Sequence, residues 1–115
     1  MGLRQRQSQF AVAAAKLILK ANELGYEVTL GDAYRDSRVH GDFGVKEGYG
    51  RASSVHKLRM AIDLNLFKDG EYLSSTEAHK PLGDWWVKEF KAYDAAWGGA
   101  FNDGNHYSFR VYGSA

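Results

Sequence analysis

Met60-Ala61-Ile62-Asp63-Leu64-Asn65-Leu66-Phe67-Lys68-Asp69-Gly70-Glu71-Tyr72-Leu73 is the stretch on which the fold turns. Met60, Ile62, Leu64 and Leu66 fall at every second position, opposite Ala61, Asp63, Asn65 and Phe67. That period of two is the side-chain alternation of a strand, and it predicts one over 60–67. Asp69-Gly70 fits a two-residue hairpin turn, with Glu71-Tyr72-Leu73 returning alongside. One residue conflicts with an ordinary strand. A carboxylate at its middle, Asp63, costs desolvation free energy unless something compensates it, and a metal ion is one good compensator.

Working upstream, Phe10, Ala14, Leu17, Ala21 and Leu24 lie on one helical stripe that Gly25 closes. Tyr26-Glu27-Val28-Thr29-Leu30-Gly31-Asp32-Ala33-Tyr34-Arg35 follows, with Tyr26, Val28 and Leu30 alternating as in a half-buried strand. Residues 36–53 are glycine-rich, carry both signs of charge and lack periodicity, as a long functional loop would. Downstream, Ser74 with Glu77 offers a capping box for a short helical turn. Pro81 then precedes a second main helix over about 82–95, bearing Trp85, Trp86, Phe90 and Tyr93. Trp97-Gly98-Gly99 and the segment from Asn105 to Tyr112 read as final strands. This order predicts an α+β fold, a small antiparallel sheet with helices packed on one side.

Composition bounds the function. A chain of 115 residues, 44% hydrophobic and 25% charged, is expected to form one globular domain over 1–115. A net charge of +1 gives no electrostatic footprint for nucleic acid or an anionic membrane. Cysteine is absent, so any metal must be held by His, Asp or Glu. Arg4 and Arg6 before the apolar run from Phe10 faintly imitate a secretory leader, but Lys16 interrupts the run and the helical stripe continues beyond it. No stretch approaches the ~20 apolar residues of a membrane span. The expectation is a chain that stays in the cytoplasm in which it is made.

His56 precedes Asp63 by seven residues, and Asp103-Gly104-Asn105-His106 comes much later. Two imidazoles and one carboxylate are the minimum set that holds a catalytic zinc and leaves a position for water. Asp103 stands where a general base for that water is needed. Pairing of the strand around Asp63 with the one beginning near His106 would set those two side chains together. The alternative is a surface His56, an Asp63 satisfied by a buried Arg or Lys, and a core His106. His40 in the loop and His79 beside Lys80-Pro81 read as exposed. Trp97 reads equally as a substrate flank or a packing residue. Neither a phosphate-binding loop nor a G-x-S-x-G serine nucleophile is present.

Ser54-Val55-His56-Lys57-Leu58-Arg59-Met60-Ala61-Ile62-Asp63-Leu64 resembles the S-x-H-x-x-G-x-A-x-D signature of the zinc D-alanyl-D-alanine peptidases, the M15 family. Asn105-His106-Tyr107-Ser108 resembles that family's final ligand segment. The segments from Gly25 to Arg35, Ala61 to Gly70 and Trp97 to His106 are similar to its short bacteriophage members, so the likeness spans most of the chain. It implies the fold of the D-alanyl-D-alanine peptidases and Hedgehog domains, with one zinc on His56, Asp63 and His106. It further implies Asp103 as general base, Arg35 as the arginine that binds substrate carboxylate or orients the scissile carbonyl, and Ser54 as a hydrogen-bonding or substrate-contacting group. Two departures stand out. Arg59 replaces the signature glycine, where it either charges the cleft near His56 or points to solvent. The base is Asp where carboxypeptidase and dipeptidase branches use Glu, which favours the endolysin branch. The implied activity is cleavage of peptidoglycan stem peptides between L-alanine and D-glutamate by a monomer, released from the host cytoplasm to the wall by a holin-type partner. A D-alanyl-D-alanine carboxypeptidase and a non-catalytic zinc domain of the same fold, its metal closed by His40 or His79, are the alternatives.

Overall fold

A computed structural model describes residues 2–36, 38, 42–44 and 54–115. His40 and most of the loop expected over 36–53 lie outside the described residues. The chain opens with helix α1, Leu3–Glu23, followed by strand β1, Glu27–Leu30. A short 3-10 turn, Val55–Leu58, leads into β2, Ala61–Lys68, and its hairpin partner β3, Glu71–Tyr72. Helix α2, Thr76–Glu89, then precedes β4, Ala95–Trp97, a second 3-10 turn, Gly98–Phe101, and β5, His106–Phe109. The sheet is antiparallel throughout its described pairings, in the order β1-β2-β5-β4, with β3 extending the far end of β2. It is the expected α+β arrangement.

The β2–β3 turn forms as its residues dictate. Asp69 and Gly70 both have left-handed φ values, 51° and 79°, as a twisted two-residue hairpin requires. Alternation along β2 divides the molecule. Ile62, Leu64 and Leu66 join Tyr107 and Phe109 of β5 in one apolar cluster with Phe10, Ala13, Ala14, Leu17 and Ala21 of α1 and Leu82, Trp86 and Phe90 of the α2 region. Both helices thus cover the same face of the sheet. Trp86, fully buried, stacks on Phe109 at 5.4 Å, and its indole donates to the main-chain oxygens of Ala96 and Ser108. One aromatic side chain therefore ties α2 to two strands and leaves its own polar atom satisfied.

Five expectations shift. Helix α2 begins at Thr76, runs through Pro81 and stops at Glu89, instead of occupying 82–95. Its cap is Ser75, which accepts from the Ala78 amide at 3.1 Å, so the Ser74–Glu77 capping box does not form. Proline removes one intrahelical hydrogen bond at the second turn. The continuous buried stripe of His79, Leu82, Gly83 and Trp86 outweighs that loss. The strand predicted over 26–35 is regular only to Leu30, which lies at the sheet edge and is 66% exposed. Leu24 follows the last turn of α1 and is exposed, because the chain has already begun to leave the helix there. The last strand stops at Phe109, and Val111 and Ser114 close a tight reversal through left-handed Tyr112 and Gly113.

His79 is the sixth correction. It is buried, not exposed, and its Nδ1 lies 2.8 Å from the Tyr107 hydroxyl. Burial lowers the His79 pKa, while the nearby Asp103 charge pulls it back upward. A folded-state pKa below the unfolded value of ~6.5 means that the unfolded chain takes up the proton first. This share of the stability is whole above ~6.5 and is lost as pH falls toward the folded pKa. Urea unfolding at about pH 7.5 and about pH 5.5 should show a larger drop for the wild type than for His79→Gln. Equal drops would contradict the buried neutral imidazole.

Candidate metal centre

The two central strands bring the chemistry together. Asp63 of β2 stands directly opposite His106, the first residue of β5, in the antiparallel register. Residues so paired project on one face, here the face away from the helices. His56 arrives from the 3-10 turn before β2. Ser54 caps that turn by accepting from the His56 amide at 3.3 Å, and Arg59 ends it in a left-handed conformation. The turn returns the His56 ring onto the strand pair. His56 Nε2 lies 3.2 Å from Asp63 Oδ1 and 3.2 Å from His106 Nδ1, and the triangle closes at 3.5 Å between His106 Nδ1 and Asp63 Oδ1.

Both histidines are buried and the Asp63 side chain is 15% exposed. Burial alone pushes the Asp63 carboxyl upward, but the hydrogen bonds and charges of His106 and His56 together outweigh it and hold the group well below the ordinary carboxylate range. The group is an anion at any physiological pH. The outer nitrogen of His106, Nε2, is 2.8 Å from the main-chain oxygen of Ala115. That oxygen can only accept, so it suits the tautomer with the proton on Nε2, in which Nδ1 has a lone pair for a metal ion.

These donors can be tested against a zinc ion. In a tetrahedral site with bonds of ~2.0–2.2 Å, any two donors are separated by about 3.3–3.5 Å. The three observed separations, 3.2, 3.2 and 3.5 Å, match that spacing without rearrangement. Among the described residues, His56, Asp63 and His106 are the group that could hold a metal. His79, a candidate fourth ligand for a closed site, is turned to Tyr107 on the helix side. Three protein ligands are the number found in catalytic zinc sites, and four in structural ones.

Arg35 joins the same cluster. Beyond β1, the Gly31 amide donates to Asp63 O and the Asp63 amide donates to Asp32 O, each at 2.8 Å. A Cβ at position 31 would sit 3.0 Å from that of Asp63, so a side chain there would push this segment and β2 apart by a few tenths of an ångström. The chain then delivers Arg35, whose guanidinium donates to Ser54 Oγ at 3.0 Å and to Asp32 Oδ2 at 3.3 Å, and lies 4.0 Å from Asp63 Oδ2. Ser54 is thus joined to both Arg35 and the His56 amide. Asp103 is exposed in the loop just before β5; its main-chain oxygen accepts from the His106 amide at 3.1 Å, which fixes the loop to the ligand. Sequence reasoning missed two contributors. Asp32 was findable, an acid three residues before an arginine. The Ala115 oxygen carries no signal at all, because any residue supplies one.

A family model described as D-alanyl-D-alanine carboxypeptidase, of the M15 peptidases, matches residues 47–109. The chain belongs to the M15 peptidase family. That segment contains His56, Asp63, Asp103 and His106, while Arg35 lies upstream of it. No match to a curated protein was found. The M15 resemblance also acquires a physical reading at Arg59. Its φ of 56° and ψ of 35° are left-handed, the conformation for which glycine is the natural residue. Arginine costs ~1 kcal/mol there. Its guanidinium lies over the Tyr34 ring at 4.0 Å, a contact that returns ~0.5–1 kcal/mol, so the departure is close to neutral.

Zinc titrated into metal-free protein should bind at one ion per chain. His106→Ala should lose stoichiometric binding while keeping its far-UV circular dichroism. Undiminished stoichiometric zinc in that variant would remove His106 from the ligand set.

Proposed function

We propose that this M15 chain is a zinc-dependent endopeptidase that hydrolyses the L-alanyl-D-glutamate bond of peptidoglycan stem peptides, in the manner of a phage endolysin. The observation that carries the reading is the donor triangle of His56, Asp63 and His106 in a chain of a metallopeptidase family. Bound there, zinc would supply a Lewis acid for the scissile carbonyl and acidify a water toward a pKa of ~7. Asp103 takes a proton from the attacking water and returns it to the leaving amine. Arg35, anchored by Ser54 and Asp32, directs fixed guanidinium donors at a substrate carboxylate or the developing oxyanion. Ser54 serves the substrate by holding that arginine in place.

Two features favour the endolysin branch: aspartate at the base position and the similarity to short phage members, which includes the Trp97 to His106 segment. The partners are then the peptide stems and, for access to them, a holin-type protein that permeabilises the membrane from the host cytoplasm. No helix of the described residues is long and apolar enough to cross a membrane. The protein acts as a monomer in this reading. The description of the matched family favours a second reading, a carboxypeptidase releasing terminal D-alanine.

Mass spectrometry of purified peptidoglycan after digestion, with and without chelator, separates the readings. New N-terminal D-glutamate on intact glycan strands, abolished by chelator, is expected. Release of free D-alanine alone would assign the carboxypeptidase activity. No release from zinc-loaded, folded protein would assign a non-catalytic role. In the same assay Asp103→Asn should retain zinc and fold yet lose about 10²-fold or more in turnover. Arg35→Ala should lower kcat/KM with zinc retained.

A further inference from the structure

Trp97 ends β4 and pairs with Tyr107, which places it on the helix-covered face, away from the metal centre. Its indole is held flat between two glycines. A Cβ on Gly83 of α2 would collide with the ring at Cγ, Cδ2 and Cε2, and a Cβ on Gly99 would collide at Cε3, Cζ3 and Cη2. The ring nitrogen donates to the main-chain oxygen of Gly104 at 2.6 Å. Gly104 lies between Asp103 and Asn105, in the loop that leads to His106.

That loop is secured from other directions as well. Gly104 packs so closely on Thr76, the first residue of α2, that a Cβ there would meet the Thr76 Cα, and Thr76 Oγ1 donates to Asn102 Oδ1 at 3.2 Å. The Asp103 amide donates to Gly98 O at 2.9 Å, and a Cβ on Gly98 would strike the Asp103 carbonyl. The Asp103 backbone is therefore fixed on its own side by Gly98, while the next peptide is fixed by the indole N–H. A buried glycine carbonyl without that donor has to be re-satisfied by a shift of the loop. Displacement of a reacting group by ~1 Å is enough to cost ~10²-fold in rate.

We infer that Trp97 is a positioning residue for catalysis, setting the Asp103 carboxylate through the indole N–H bond to Gly104. This goes beyond a packing role and rests on the reading of Asp103 as general base. Trp97→Phe keeps an aromatic ring between Gly83 and Gly99 and deletes the N–H. On purified peptidoglycan its kcat should fall by about 10-fold, with KM and zinc stoichiometry unchanged. Introduced into Asp103→Asn, the same change should have little further effect on turnover, because the group it positions is gone. In 15N-labelled wild type, the Trp97 indole N–H should exchange with solvent far more slowly than that of half-exposed Trp85.

A folded Trp97→Phe with wild-type kcat overturns the inference, as does an equal fractional loss in both backgrounds. Indole exchange as fast as that of Trp85 overturns it even if the variant fails to fold. Asp103→Asn at wild-type turnover removes the base reading and the inference with it. An inactive Asp103→Asn beside a fully active Trp97→Phe removes the inference alone.

Discussion

The antiparallel pairing of Asp63 with His106 is the constraint to which the rest of the molecule answers. It places an anion and an imidazole side by side at the centre of a sheet, on residues 43 positions apart in sequence. A one-residue slip of either strand would move its side chain to the helix-covered face and dissolve the site. The register must therefore be enforced by something other than the site itself. The apolar face of β2 enforces it, since Ile62, Leu64 and Leu66 enter the core only in this alignment. Function on one face is held in phase by hydrophobic burial on the other.

Burying the donor cluster costs desolvation free energy. His56 Nε2, His106 Nδ1 and an Asp63 oxygen meet within 3.5 Å, and the Asp63 anion is held by both imidazoles and faced by Arg35. Aromatic packing on the helix side offsets that cost. Phe10, Trp86 and Phe109 meet at centroid distances of 5.2 to 5.9 Å, and Trp86 satisfies its one polar atom while doing so. Close backbone approaches complete the economy of space: Gly31 against Asp63, Gly83 and Gly99 against Trp97, Gly98 against Asp103. Each glycine lies where a side chain would push a site-bearing segment out of position.

Much of this was legible in the chain. The period of two across Met60–Phe67 and the Asp69-Gly70 turn identified the central hairpin because local chemistry alone determines both. The convergence of His56, Asp63 and His106 follows once β2 and β5 are neighbours, and the M15 signature carries their order. Elements governed by tertiary packing were harder to read. Pro81 reads as a helix boundary, whereas the buried stripe from His79 to Trp86 carries the helix through it. For the same reason His79 reads as a surface residue in the sequence. The Ala115 oxygen on His106 and the Trp97 bond to Gly104 involve main-chain groups, which sequence cannot distinguish. Arg59 is explained by its left-handed backbone, which the sequence does not show.

The central claim is that His56, Asp63 and His106 form one three-ligand metal site in an M15 peptidase. Anomalous diffraction at the zinc edge from crystals of the zinc-loaded protein tests it most directly. The account predicts a single strong peak bonded to His56 Nε2, the Asp63 carboxylate and His106 Nδ1, with no fourth protein ligand. A peak elsewhere, or one whose coordination is closed by another side chain such as His40, would contradict it.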